Sequence, residues 1–84
     1  MRGQAVVLEF ASDVAARVAE TDWHSSQRLT GLDGGRLRFE VRLDSLLEFV
    51  PWVRGWGHSV TVIAPPELRE EIASSARQAA ALYA

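Results

Sequence analysis

Residues 36–43, RLRFEVRL, are the most constraining segment of the sequence, because apolar and charged side chains alternate along most of its length. Successive side chains of a β-strand point to opposite faces, so this period of two predicts a strand with one buried face and one charged face. The segment follows Asp33-Gly34-Gly35, and glycines adopt positive φ angles at little cost, which predicts a tight hairpin turn. The chain must therefore build a sheet with a core on one side.

The rest of the sequence predicts further strands and helices in the order β-α-β-β-α-β-α. Ser12 is the expected N-cap of the first helix, and Ser45 with Glu48 matches a capping box for the second helix. Pro51 falls inside the second helix and should kink it or confine regular structure to one side. The predicted strands cover residues 4–10, 23–32, 36–43 and 58–64, and the predicted helices cover residues 12–21, 46–54 and 66–83.

A βαββαβ order with one central hairpin is typical of a ferredoxin-like α+β sandwich, here with an additional C-terminal helix. In that arrangement the helices cover one face of the sheet. The chain has 84 residues and no linker or low-complexity tract. We therefore expect a single domain over residues 1–84, with a core of modest size.

The segment Gly55-Trp56-Gly57-His58 is either a ligand site or a corner at which a helix passes to a strand. Glycine is favoured at a helix C-terminus because the left-handed conformation suits it, so Gly55 or Gly57 is the expected cap. We predict the corner, with Trp56 filling the seam between the second helix and the sheet.

The composition excludes several classes of protein. A net charge of −2 does not fit a strongly basic, stand-alone nucleic-acid binder. The absence of cysteine excludes disulfides and thiolate zinc sites. No apolar run approaches the roughly 20 residues that span a bilayer, and the first residues, MRGQAVVLEF, lack a signal-peptide pattern. We therefore expect a cytoplasmic protein with no membrane partner.

The sequence offers neither a catalytic nor a metal site. The two histidines, His24 and His58, do not form a local pair with metal-ligand spacing. Asp22, His24 and Ser25 are close in sequence, but neighbouring side chains on a strand point to opposite faces, which is poor geometry for a triad. No nucleophile elbow or phosphate-binding glycine loop occurs. We expect a protein that is not an enzyme and holds no cofactor.

The charged face of the predicted sheet is the first candidate site. Cross-strand neighbours lie about 4.5–5.5 Å apart, so several guanidinium groups can converge on one anion, such as a phosphate-rich effector or an acidic partner. The alternative is a solvated face that Glu9 and Glu40 partly neutralise. RNA-recognition domains stack bases on exposed aromatic residues of this face. In this chain those positions hold Arg and Glu, which argues against RNA binding. The candidate anion-binding residues are Arg28, Arg36, Arg38 and Arg42.

The second candidate site is an assembly surface. The last helix contains IASSARQAAALYA, whose small residues allow close packing against another helix. The alternative is packing within the chain, and a free sheet edge can also pair with a second copy or another domain. Aromatic residues at the second helix would mark an interface if they stay exposed. The candidate interface residues are Pro51, Trp52, Trp56, Leu82 and Tyr83.

The chain resembles the WCX domain, the C-terminal extension of WYL-domain transcriptional regulators. The segments that carry the resemblance are, in order, VVLEF, DVAARVAE, the Trp23 position, DGG with RLRFEV, LLEFVPWVRGWG, VTVIAPPELRE and the terminal Tyr83. The family's pattern near its end is approximated by Gly57, Val60, Val62, Pro66 and Leu68.

The resemblance implies a fragment of a longer bacterial regulator, in which a DNA-binding helix-turn-helix domain and a WYL domain precede this extension. It implies a regulatory and oligomerisation module that forms a homodimer, contacts both upstream domains and reaches DNA only through the helix-turn-helix domain. The family is associated with nucleic-acid or nucleotide effectors, a role that belongs chiefly to the WYL domain. The alternative function is a ferredoxin-like module that binds a small molecule or nucleotide.

Overall fold

The computed structural model describes residues 3–84. Met1 and Arg2, the first residues of the segment that lacks a signal-peptide pattern, lie outside the described residues. Short 3-10 turns at Asp33–Gly35 and Gly57–Ser59 accompany the regular elements. These elements are β1 (Gln4–Phe10), α1 (Ser12–Ala19), β2 (Arg28–Gly31), β3 (Leu37–Leu43), α2 (Val50–Arg54), β4 (Val60–Ala64) and α3 (Pro66–Ala81).

The four strands form one sheet in the order β2-β3-β1-β4, and each neighbouring pair is antiparallel. The result is a small mixed α+β domain with a four-stranded antiparallel sheet and a C-terminal helix, which confirms the predicted α+β class. The hairpin between β2 and β3 turns at Gly34 and Gly35, whose φ angles of +74° and +79° are those that the DGG sequence predicts. A tight turn thus joins β2 and β3, the two strands at one side of the sheet.

The core lies on one face of the two central strands. In the register, Leu8 of β1 is opposite Phe39 of β3, and both side chains are fully buried. Each large apolar side chain that leaves water contributes about 1.5–3 kcal/mol. The apolar residues of segment 36–43 are therefore buried on one face of the strand, as their alternation predicts. The outer strand β4 adds Val62, and the helices supply the remaining core residues, namely Val14 and Val18 from α1, Val50 and Val53 from α2, and Leu68 from α3.

Two helix starts differ from their predictions. The helix α1 has Ala11 at its N-cap, with no side-chain capping bond, so the prediction of Ser12 as the cap was wrong by one residue. The helix α2 begins only at Val50, which leaves the predicted capping box of Ser45 and Glu48 in a turn. Pro51 lies in the first turn of α2, where its missing N–H group costs nothing. Of the two predicted outcomes, it therefore confines the regular helix to its C-terminal side and does not kink it.

The second strand is shorter than predicted. Residues 23–27 form a loop, because the side chain of Gln27 competes with strand pairing for backbone groups. Its Oε1 atom accepts hydrogen bonds from the backbone N–H groups of Trp23 (2.6 Å) and His24 (3.1 Å). Its amide nitrogen donates to the carbonyl of Thr21 at 3.1 Å. Regular pairing with β3 therefore starts only at Arg28.

The helix α3 packs on the domain only through its first half. Leu68 is buried and Ile72 is half-buried, but every residue from Ala76 to the end of the chain is exposed. Arg69 Nη1 donates to the carbonyl oxygen of Val62 on the edge strand β4 at 3.0 Å. None of the helices within residues 3–84 is both long and apolar enough to cross a membrane.

Candidate anion face and exposed helix

The open face of the sheet, defined as the face that points away from the core, carries six charged residues of the strand region. Four arginines and two glutamates give this face a net charge of +2, whereas the whole chain carries −2. Such an asymmetry raises the local concentration of anions at the face. The residues are Glu9 on β1, Arg28 on β2, Arg36 just before β3, and Arg38, Glu40 and Arg42 on β3.

Glu9, Arg36 and Arg38 form the paired half of the open face. Arg36 Nη1 lies 2.9 Å from Glu9 Oε1, and Arg38 Nη2 lies 3.0 Å from Glu9 Oε2. The hydrogen bond from Arg38, assisted by the one from Arg36, holds the pKa of Glu9 below its usual value, although desolvation opposes this shift. Two of the predicted anion-binding arginines thus converge on a carboxylate of the protein itself.

Arg28, Glu40 and Arg42 form the open half of the face. Arg28 is directly opposite Glu40 in the strand register, yet no ion pair within 4.0 Å joins Glu40 to any residue from 3 to 84. Arg42 Nη1 donates to the carbonyl oxygen of Gly3 at 3.2 Å, and its guanidinium has no carboxylate partner in that part of the chain. The other two predicted anion-binding arginines therefore keep donors for a ligand.

A shallow depression of about 360 Å³ lies at the open half. Arg28, Glu40 and Arg42 line it together with the small apolar side chains of Ala5 and Val7. Its surface is thus part charged and part apolar, so it can contact both a charged group and an apolar part of one ligand.

The depression exists because the chain leaves strand geometry before Arg28. Ser26 replaces a strand partner at this point: its hydroxyl accepts a hydrogen bond from the Arg42 N–H at 2.9 Å and lies 3.3 Å from the Arg42 carbonyl oxygen. His24 Nδ1 holds Ser26 in place, accepting from the Ser26 N–H at 3.1 Å. The predicted strand over residues 23–32 included His24 and Ser26, but the polar, turn-forming residues of DWHSSQ were a sign of a loop.

The tryptophans at the corner after α2 belong to an aromatic cluster. Trp56 packs edge-on against Phe10 of β1 at 5.3 Å between ring centroids, as predicted for a corner residue. Trp52 lies 4.7 Å from Phe49, and Trp23 lies 5.2 Å from Trp52. The left-handed turn falls on Gly57, with φ of +60°, and Gly55 keeps a right-handed φ of −63°.

Trp23 is a member of this cluster that the strand prediction missed. Its indole Nε1 donates to the carbonyl oxygen of Val18 at 3.0 Å, which ties the loop back to α1, and its ring contacts Trp52 and Trp56 at the corner. Trp52 and Trp56 remain half-exposed beside the exposed Pro51, and Arg17 adjoins them. These three predicted interface residues therefore form one surface.

The other two predicted interface residues, Leu82 and Tyr83, lie at the far end of α3, where they are 81% and 88% exposed. A mainly apolar groove of about 290 Å³ runs between the corner after α2 and the middle of α3. Ile72 and Ala76 line it from α3, and Val53 lines it from α2. Large apolar side chains and an apolar groove thus occur on the same helix.

Within the part of the chain that the structure describes, no three His, Asp or Glu side chains gather in a way that could hold a metal ion. Asp13 makes a structural contact instead. Asp13 Oδ2 accepts a hydrogen bond from the buried Ser59 hydroxyl at 3.2 Å, which joins α1 to the start of β4.

Comparison with known proteins gives a single clear result. No curated protein matches the chain. The family model described as the WCX domain matches residues 2–80, which is nearly the entire sequence. The matched region includes the open face, the aromatic corner and most of α3. The chain therefore belongs to the WCX domain family, which is associated with WYL-type regulators.

Proposed function

We propose that this chain is the non-catalytic regulatory and oligomerisation module of a bacterial, cytoplasmic transcription regulator of the WYL type. Membership of the WCX family supports the association with such regulators. In this proposal a WYL domain and a helix-turn-helix domain lie upstream in the full-length protein, and DNA is bound by the helix-turn-helix domain. The surface formed by Pro51, Trp52 and Trp56 docks the neighbouring domain.

We also propose that the domain is a ferredoxin-like sandwich. The antiparallel pairs imply that β1 and β2 run parallel with β3 between them, and that β3 and β4 run parallel with β1 between them. Two split β-α-β units of this kind are the feature that names the fold. The short α2 is the element that fits this description least well.

The observation that carries the oligomerisation role is the uncovered apolar stripe of α3. Ala76, Ala79, Leu82 and Tyr83 continue the face on which Leu68 and Ile72 pack, but this chain covers none of them. Exposed apolar surface that continues a buried stripe is characteristic of an interface.

A second copy of the chain is the partner that fits this stripe. An antiparallel pair of α3 helices that cross between Ala76 and Ala79 brings these two small residues to the centre and Tyr83 to the groove beside Ile72 of the other copy. Arg77 is the only charged residue in 76–84, and it is already paired with Glu70 at 2.9 Å. Such a dimer therefore buries little unpaired charge.

Regulation in this proposal is allosteric. An effector shifts the dimer between two arrangements that hold the DNA-binding domains differently, and it can do so only through contacts that differ between the arrangements. The domain supplies the dimer contact and part of the surface that senses the effector.

Light scattering tests the proposal. The chain should be a dimer, and replacing both Leu82 and Tyr83 by alanine should make it a monomer with an unchanged circular dichroism spectrum. The matched control is Leu47→Ala, because Leu47 is a comparably exposed leucine (79%) away from the stripe. A chain that stays monomeric up to about 1 mM, where binding is worth only about 4 kcal/mol, would contradict the dimer.

One observation favours the alternative function, a ferredoxin-like module that binds a small molecule or nucleotide. Arg28 and Arg42 line a depression that also has an apolar wall. A chain that binds such a ligand but never associates would support this alternative over the oligomerisation role.

A further inference from the structure

We propose that the depression at the open half binds a small phosphate monoester that also carries an N–H donor group. The proposal rests on the regulatory function above, for which it names the place and the chemistry of the sensed molecule. It follows from three features of the depression: among residues 3–84, two of its arginines have no carboxylate partner and its glutamate has no cation partner, and it has an apolar wall.

The two arginines define the anionic part of the ligand. Arg42 and Glu40 are two residues apart on β3, about 7 Å along the strand, and Arg28 faces Glu40 from β2. The long side chains of Arg28 and Arg42 can therefore meet above Glu40. A phosphate monoester offers three acceptor oxygens and a charge of about −1.5 to −2, which suits two guanidinium groups better than a single carboxylate does.

Glu40 defines the second part of the ligand. Its carboxylate repels a bare phosphate, so a ligand that binds well must compensate with hydrogen-bond donors. A planar amino-bearing ring does this when it presents two adjacent N–H groups to the two carboxylate oxygens. Ser26 also lines the depression, but its neutral hydroxyl already accepts from the Arg42 N–H, so the charged Glu40 is the stronger acceptor.

The apolar wall and the volume of the depression define the shape and the size of the ligand. Ala5 and Val7 offer small apolar side chains on which a flat ring can lie. The volume of about 360 Å³ is at the low end of the range of about 300–1,000 Å³ found for small-molecule sites. A ligand of about the size of one nucleotide is the natural occupant.

The paired half explains why the ligand binds here and not elsewhere on the open face. Glu9 occupies the guanidinium groups of Arg36 and Arg38 at 2.9 and 3.0 Å. An incoming phosphate would have to displace this carboxylate from both arginines. The excess positive charge of the open face is therefore accessible chiefly at Arg28 and Arg42.

Calorimetric titration of the chain with three probes tests the proposal. Guanosine monophosphate has the phosphate and two adjacent N–H donors on its planar base, ribose 5-phosphate lacks the base, and guanosine lacks the phosphate. We expect guanosine monophosphate to bind at least about tenfold more tightly than either other probe, in line with charge-assisted hydrogen bonds being the stronger ones. Equal binding of guanosine, or no binding of any probe, would overturn the proposal.

Variants locate the site. Replacing both Arg28 and Arg42 by alanine should abolish binding of guanosine monophosphate, whereas Arg17→Ala, an exposed arginine on α1, should leave it unchanged. The Arg42 variant keeps the backbone bonds to Ser26, so the loop stays in place. A double variant that binds as well as the unchanged chain would overturn the proposal.

The Glu40→Gln variant gives the sharpest result. It removes the repulsion of phosphate but weakens the acceptor for the ring, so ribose 5-phosphate should bind more tightly and guanosine monophosphate more weakly. An equal strengthening of both probes would overturn the role of Glu40 and with it the proposed ligand class. Light scattering on the same samples reports dimerisation separately, so failure of this site can be distinguished from failure of the oligomerisation role.

Discussion

The paired half and the open half of the sheet face contain the same two residue types but differ in what those residues can do. In the paired half, Arg36 and Arg38 meet Glu9 across the strands. In the open half, Arg28, Glu40 and Arg42 lie side by side without forming an ion pair. Charge content alone therefore does not identify a binding surface. Arg38 has a carboxylate opposite it on β1 and is paired, Arg42 has none, and Arg28 stays free although Glu40 is opposite it on β3.

The cause of this difference lies on β1. Its open-face residues Glu9, Val7 and Ala5 are opposite Arg38, Glu40 and Arg42 in turn. Arg38 therefore faces a carboxylate on the neighbouring strand, whereas Arg42 faces a methyl group. The residue of β1 that stands opposite each charged position of β3 thus separates a structural ion pair from a candidate site.

The largest effect, on the free energy of unfolding, should come from truncating a core side chain of β3, the strand that both halves share. Phe39 is fully buried and lies between Arg38 and Glu40 on β3. Phe39→Ala should lower the free energy of unfolding by about 3–5 kcal/mol, through lost burial and a cavity. Urea denaturation measures this loss, and a change below about 1 kcal/mol would contradict the packing described here.

Converting the open half into a second paired half should have the next largest effect, this time on ligand binding. Ala5→Glu places a carboxylate opposite Arg42, as Glu9 stands opposite Arg38. Binding of guanosine monophosphate should fall about tenfold or more, because the new ion pair competes for the guanidinium group. Stability should change by less than about 1 kcal/mol, the usual range for an exposed ion pair.

The control for that prediction is Ala5→Gln, which has the same size and no charge. Calorimetry should show that this variant binds the probe nearly as well as the unchanged chain. If the glutamine variant loses as much affinity as the glutamate variant, bulk at position 5 is responsible, and register does not explain the difference between the halves.

The smallest effect should come from opening the paired half. Glu9→Gln should destabilise the domain by roughly 0.5–1 kcal/mol at pH 7, since both arginines are partly exposed. The folded state lowers the pKa of Glu9, so its stabilisation is present above the unfolded value of about 4.3 and is lost as pH falls through the folded value. Urea denaturation at pH 7 and pH 3 should show a difference between variant and unchanged chain at pH 7 that shrinks at pH 3.

A destabilisation by Glu9→Gln that is as large at pH 3 as at pH 7 would show that the side chain acts by packing and not by charge. The same variant should bind inorganic phosphate better than the unchanged chain, because it frees Arg36 and Arg38. Without such a gain, free guanidinium groups would not be what distinguishes the two halves.

The parts of the fold that depend on local chemistry could be predicted from the sequence. The burial of Phe39 follows from alternation, and the positive φ angles of Gly34 and Gly35 follow from the DGG sequence. The late start of α2 at Val50 could not be predicted from a capping box, because Pro51 offers a competing start one turn later. The loop at residues 23–27 depends on side-chain hydrogen bonds of His24, Ser26 and Gln27 to the backbone, which a strand pattern ignores.

The candidate site was predictable in composition but not in arrangement. Alternation places Arg38 and Arg42 on one face whatever their partners are. Which arginine meets Glu9 depends on how β1 and β3 align, and these strands are separated in sequence by α1, a loop and β2. Register between such distant strands is set by the whole packed core and cannot be obtained from either strand alone.

The hydrogen bond from Arg69 to the carbonyl oxygen of Val62 has a consequence for larger assemblies. It occupies an acceptor on β4, an outer strand of the sheet, with a side chain of the helix that follows that strand. A strand from another molecule would have to break this bond before it could extend the sheet at that side. Growth by edge-to-edge stacking into fibrils is thus disfavoured at β4.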